Sequence, residues 1–330
     1  MVKIIALEEH LMTSGIAEAS SVAESTAMAD FNGQGVLGER LLDVGERRLA
    51  AMDDQGVDVQ VLSVTTPGVQ NLVPDRAVAL ARQANDAIAA RVCADPERFE
   101  GFATLPTPDP GAAAVELRRA VTELGLKGAL LCGRTGSKNI DHPDFEEMWA
   151  VAGELRAPVY IHPQMPVGAV QDSYYSGLDP VADFIFAGPG IGWHYETGIQ
   201  LLRLILSGTF DRHPDLQVIV GHWGELVLFY TERIGHMREW AHLGLARPII
   251  DYFRNNVSYT GSGDLGDRYL RWTIDVVGVD RIMYATDYPF VDTGSGRARQ
   301  FLEQADLSES DRHAIGHGNW ERPIAHLGAS

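Results

Sequence analysis

The chain has 330 residues, 45% of them hydrophobic and 8% aromatic, enough to bury the core of one large α/β domain over residues 1–330. Its 45 acidic against 27 basic side chains leave a formal net charge of -18, a field that repels phosphate backbones and anionic lipid, so nucleic acid and membrane surfaces are excluded as partners. Two cysteines make no disulfide framework, and with no room for a signal peptide and no apolar run of spanning length the expected location is cytoplasmic.

The first element is Lys3–His10, KIIALEEH. Its apolar start is that of a parallel strand covered on both faces. Side chains two apart on a strand share a face, so Glu8 and His10 project together and Glu9 projects opposite. Leu11–Gly45, rich in Ser, Ala, Glu and Gly, reads as a long excursion at the end of that strand and a candidate cover for a site. A helix over Glu46–Gln55 with a Gly56 stop precedes a second strand, Val57–Val64. Asp75–Val92 reads as a helix, Glu100–Leu105 as the third strand, Pro110–Leu124 as a helix with Pro near its start, and Lys127–Cys132 as the fourth strand.

His142–Leu155 reads as the next helix and Ala157–His162 as a fifth strand ending in histidine. Pro163–His194 carries Tyr174, Tyr175, Phe184, Phe186, Trp193 and several glycines, a second excursion over the same end of the sheet. After the helix Glu196–Leu206, the sixth strand Leu216–Gly221 runs into His222-Trp223-Gly224-Glu225, with Leu226–Ala241 as a following helix and Glu225 in its first turn. Asn256–Thr260 is the seventh strand, Leu265–Val277 a helix, and Arg281–Thr286 an eighth strand ending at Asp287. Arg297–Gln304 and Glu309–His326 close the chain as helices. Eight strand and helix alternations predict an α/β fold of the (β/α)8 TIM-barrel type.

In such a barrel the strand C-termini share one face, where catalytic residues collect. Glu8, His10, His162, His222 and Asp287 all fall there. Mixed nitrogen and oxygen donors suit one divalent ion, Zn²⁺ or Mn²⁺, while Ca²⁺ and Mg²⁺ prefer oxygen shells. Two imidazoles and two carboxylates leave a coordination position open for water or substrate, the mark of a catalytic site. His222 is then a further ligand or a general acid/base, and Glu225 is spaced to accept a hydrogen bond from its ring and fix its tautomer.

The E-x-H of Glu8–His10, the strand ending in His162-Pro163, the G-H-x-G-E of Gly221–Glu225 and the T-D-x-P-F of Thr286–Phe290 together resemble the metal-dependent decarboxylase branch of the amidohydrolase superfamily. Within it the chain is most similar to the gamma-resorcylate and 2,3-dihydroxybenzoate decarboxylases. Ordinary amidohydrolases carry H-x-H on the first strand, so E-x-H points to the benzoate decarboxylases. The resemblance implies Glu8, His10, His162 and Asp287 as metal ligands and His222 with Glu225 as a polarising pair, with Asp287 also the proton donor. It places Phe290 in an aromatic pocket and matches Arg233 to a family arginine; Trp193 and His194 are further candidates for substrate contact. The implied activity is non-oxidative decarboxylation of a small hydroxybenzoic acid without an organic cofactor, by a homo-oligomer. Its alternative on the same fold is hydrolysis of a lactone or amide by metal-bound hydroxide. The E-x-H favours the lyase.

Overall fold

The computed structural model describes residues 1–22 and 26–328. Nine strand segments occur among them: β1 (Ile5–Leu11), β2 (Val59–Val64), β3 (Phe99–Gly101), β4 (Ala103–Thr104), β5 (Ala129–Cys132), β6 (Val159–His162), β7 (Val218–Val220), β8 (Val257–Tyr259) and β9 (Tyr284–Ala285). All neighbouring pairs are parallel, in two arcs ordered β3-β2-β1-β9 and β4-β5-β6-β7-β8. β3 and β4 are one stave, interrupted at Phe102, whose N–H donates to Leu62 O while Ala103 N–H donates to Gly128 O. At the other junction Met283 N–H donates to Tyr259 O at 2.8 Å and Gly263 N–H to Ala285 O at 3.2 Å. The eight staves therefore close into a TIM barrel, with helices such as Pro74–Ala94, Pro110–Thr122, Glu146–Leu155 and Gly192–Leu206 between them.

Alternation along the strands sorts two cores. Ile5, Val61, Leu130, Tyr160, Ile219 and Met283 fill the barrel interior, while Ile4, Leu62 and Val220 pack outward with helix residues such as Leu117, Trp149 and Leu204. The segment Asn319–Ile324 closes the bottom, where Trp320 meets Phe102 edge-on with centroids 5.3 Å apart. Polar residues therefore collect at the top.

Several boundaries differ from the sequence reading. The excursion Leu11–Gly45 holds three short helices, Ser14–Val22, Thr26–Gly33 and Gly35–Leu42, and its residues 23–25 lie outside the described ones. Leu226–Ala241 is not one helix. It breaks into Val227–Tyr230, Thr231–Gly235 and Met237–Trp240, and ahead of it His222, Trp223, Gly224, Glu225 and Leu226 all adopt positive φ, so the chain leaves β7 through a left-handed turn. Glu225 consequently sits in that turn and not in a regular first helical turn. No helix of the described residues is long and apolar enough to cross a membrane.

Candidate metal centre and active site

β1 pairs with β2 as Ala6↔Gln60 and then Glu9↔Leu62, so β1 carries one extra residue between them. Strict alternation from Ile5 and Leu7, both in the barrel interior, would turn Glu9 inward. The bulge at Leu7–Glu8, with Glu8 at φ 61, re-aims the strand so that Glu8 and His10 face the interior. Glu9 instead accepts hydrogen bonds from Gln60 Nε2, Thr286 N and Thr286 Oγ1 on the outer side. Asp287 follows β9 at φ 56. Non-glycine residues in the left-handed region cost on the order of 1–3 kcal/mol each and collect where function needs them; here they include Glu8, His222, Glu225 and Asp287.

Glu8, His10, His162 and Asp287, all buried, bring one ligand atom each within 4.8 Å of one another. His162 Nε2 lies 3.4 Å from Glu8 Oε1, and His10 Nε2 lies 3.3 Å from Asp287 Oδ1. The other atom of each group is already engaged. His162 Nδ1–H donates to Pro163 O at 2.8 Å, His10 Nδ1 meets Ser63 Oγ at 3.3 Å, and Glu8 Oε2 accepts from Tyr160 and Ser262. Gly221 permits that crowding, since a Cβ there would lie 2.5 Å from Ser262 Oγ. Glu8 Oε1 and His10 Nε2 remain buried without a hydrogen-bond partner, a costly arrangement for a carboxylate and an imidazole. A cation between them removes the cost, so this donor set fits a divalent metal.

The ionisation pattern agrees. Burial, with Arg48 and His222 nearby, holds the His10 imidazole down to about 3, and burial holds His162 well below the usual histidine range, both neutral as ligands must be. Burial pushes the carboxyls of Glu8 and Asp287 up to about 7 without a cation. Beside them, burial disfavours a charged His222, but Glu225, Glu8 and Asp287 outweigh it and raise the ring to about 10. Burial likewise opposes an ionised Glu225, yet His222 and His194 hold it down to about 2. His222 and Glu225 thus form an imidazolium–carboxylate pair, His222 Nδ1 lying 2.8 Å from Glu225 Oε1.

A cavity of about 530 Å³ opens onto this cluster, lined by His162, His222, Asp287, Trp193, His194 and Phe290, and by Met28 and Phe31 from the first excursion. Phe31 and Phe290 stack with centroids 6.1 Å apart and planes 6° apart, forming a flat apolar wall. Among the described residues no Lys or Arg lines this cavity. Arg233 is not brought to it: the side chain is exposed, with its guanidinium 5.7 Å over the Trp240 ring. Sequence reasoning missed Tyr160, Ser262 and Phe31. Inward parity two residues before His162 was the signal for Tyr160, whereas nothing local marks Ser262 or Phe31.

The amidohydrolase family model matches residues 39–322. A gamma-resorcylate decarboxylase of Rhodococcus jostii is 36% identical with 96% of both chains covered. The 5-carboxyvanillate decarboxylase of Sphingomonas paucimobilis superposes with a TM-score of 0.90 at 31% identity, covering 98% of this chain and 99% of that one. A dihydroxybenzoic acid decarboxylase of Polaromonas sp. JS666, solved with bound manganese and the inhibitor 2-nitroresorcinol, superposes with a TM-score of 0.85 at 34% identity, covering 98% and 97%.

Proposed function

The chain belongs to the amidohydrolase family, and on that premise we propose that it is a metal-dependent, non-oxidative decarboxylase of a hydroxybenzoic acid, releasing CO₂ and a phenol. The observation that carries this reading is one cavity whose wall includes His162 and Asp287 of the four-residue ligand cluster, His222 of the imidazolium–carboxylate pair and a stacked aromatic face. That combination fits a flat, anionic ring.

Glu8, His10, His162 and Asp287 would hold the ion, Mn²⁺ or Zn²⁺, which would supply Lewis acidity toward the carboxylate and its ortho hydroxyl. Phe290 and Phe31 hold the ring plane. Asp287 borders both the ligand cluster and the cavity, and delivers a proton to the ring carbon that bears the carboxylate. The electrons of the C–CO₂ bond then return to the ring as CO₂ leaves. Asp287 regains its proton from the substrate hydroxyl or a water, with His222 as the relay held by Glu225. No electron acceptor is needed, and so no organic cofactor. Because no Lys or Arg among the described residues lines the cavity and the His222 imidazolium there is already paired with Glu225, a second carboxylate would lack a free counter-charge; this supports a monocarboxylate such as a dihydroxybenzoate over a dicarboxylate such as 5-carboxyvanillate.

The test is incubation of metal-replete enzyme in D₂O with a panel of mono- and dihydroxybenzoates and 5-carboxyvanillate. We expect a phenol carrying one deuterium at the carbon that lost CO₂, formed fastest from a dihydroxybenzoate. Hydrolysis of a lactone or amide by the same preparation, with no labelled phenol from any acid, would replace this reading by the hydrolase one.

The assembly we propose is a homo-oligomer. Phe229, Tyr230, Trp240, Tyr269 and Trp272 are exposed, and Phe229 stacks on Trp272 with centroids 5.7 Å apart. Exposed aromatic area of this kind suits a second copy of the chain. Light scattering at micromolar concentration should give at least a dimer mass; a monomer mass removes the proposal.

A further inference from the structure

His194 stands in the cavity wall, but both of its ring nitrogens are already engaged by the protein. Nδ1 lies 2.8 Å from Glu225 Oε2. Nε2 accepts the indole N–H of Trp193 at 3.1 Å, with Pro189 O 3.3 Å away. A nitrogen that accepts an indole N–H carries no proton, so Nδ1 bears the ring's hydrogen and donates it to Glu225. No ring nitrogen is left over for a substrate.

Glu225 is 1% exposed, and among the described residues its carboxylate is hydrogen-bonded by two side chains, His222 on Oε1 and His194 on Oε2, both at 2.8 Å. Held by one imidazole alone, a carboxylate rotates about its last torsion and swings the accepting oxygen away from its donor. Two imidazoles on its two oxygens fix the plane. The second imidazole is itself seated firmly: the helix Gly192–Leu206 carries it, and one turn on, a Cβ at Gly198 would come within 2.5 Å of Glu225 O. That helix therefore rests directly on the Glu225 turn. The two rings lie 4.4 Å apart at 63°, close enough that a shift of one displaces the other.

We propose that His194 is a positioning residue: by holding Oε2 of Glu225 it fixes the carboxylate that orients His222 toward the substrate. The proposal rests on the decarboxylase reading for the step it assists, while the geometry it invokes exists without substrate or metal. It reassigns His194 from substrate contact to a role exerted through Glu225 and His222.

The branching of the side chains supplies the test. In His194→Asn the amide nitrogen occupies the place of Nδ1 and still reaches Glu225; in His194→Gln it lies one bond further, toward Trp193 and Pro189; His194→Ala supplies neither donor. We expect His194→Ala and His194→Gln to lower kcat by about 10- to 100-fold, the usual effect of removing a group that orients an active-site histidine, with KM changed little, and His194→Asn to recover most of the loss. Loss confined to KM, recovery by Gln instead of Asn, or an unaltered kcat in His194→Ala overturns the proposal. If His194→Ala does not fold, the Asn and Gln variants decide. A second readout is independent of turnover: in ¹⁵N-histidine-labelled, metal-free protein, the deshielded His222 Nδ1–H resonance should survive in His194→Asn and broaden by exchange in His194→Gln. An unchanged resonance in His194→Gln overturns the proposal even if no benzoate proves to be a substrate, and its selective loss supports the positioning role whatever the reaction.

Discussion

Asp287→Asn is expected to lower turnover by at least about 10²–10⁴-fold, the range that removal of a general acid produces, while the protein stays folded. The amide keeps the size of the carboxyl and an oxygen able to coordinate, but it has no proton acidic enough to transfer to a ring carbon. Asp287 is buried and pushed up to about 7 by that burial, and it also raises Glu8 by like-charge repulsion. Removing its charge therefore relieves the metal-free cluster, and thermal denaturation of the metal-free variant should match or exceed wild type. Turnover is followed by substrate loss and metal content by elemental analysis. A variant that retains more than about a tenth of wild-type kcat places the proton donor elsewhere. His222→Asn makes the contrast, with metal retained and turnover reduced, because His222 lies beside the ligand cluster and pairs with Glu225.

Much of this site is legible because a barrel turns position along the chain into position in space. His162 ends β6 and Asp287 follows β9, so an apolar run followed by a ligand-type side chain was enough to place both on one face. The pairing of Glu8 with His10 was also readable, although not for the reason that alternation suggests. From Ile5 and Leu7, alternation sends Glu9 inward, and it is the bulge that turns Glu8 and His10 to the interior. A bulge has no reliable local signature when neither residue is glycine. The left-handed run from His222 to Leu226 was hidden for the same cause: Trp223 and Leu226 rarely take positive φ, so the apolar spacing after Glu225 reads as helix. What holds those angles is tertiary, including Trp223 Nε1–H donating to Asp264 O and Trp223 N–H to Thr260 O. Arg233 was not legible either, since it matches a family position in sequence while its side chain lies on the surface over Trp240.

Removing the metal should abolish activity and lower stability together, because the folded cluster binds the ion in a way the unfolded chain cannot. Without it, Glu8 Oε1 and His10 Nε2 are buried with no hydrogen-bond partner, and the Glu8 and Asp287 carboxyls repel each other. A ligand that binds only the native state stabilises it by RT ln(1 + [L]/Kd), about 2.7 kcal/mol at a hundredfold excess over Kd. Chelator-treated protein should therefore melt several degrees lower and decarboxylate nothing, and stoichiometric Mn²⁺ or Zn²⁺ should restore both. His162→Ala isolates the ligand contribution. His162 Nδ1 is spent on Pro163 O, so Nε2 is the atom that the substitution withdraws from the cluster. We expect metal affinity to fall by at least the about 10- to 100-fold seen for outer-shell partners of metal ligands, with substoichiometric metal after purification without chelator. Added metal should then fail to return the melting temperature to the wild-type value. Stoichiometric metal and a normal melt in His162→Ala would remove that residue from the site, and full turnover by metal-free wild type would remove the metal from the reaction.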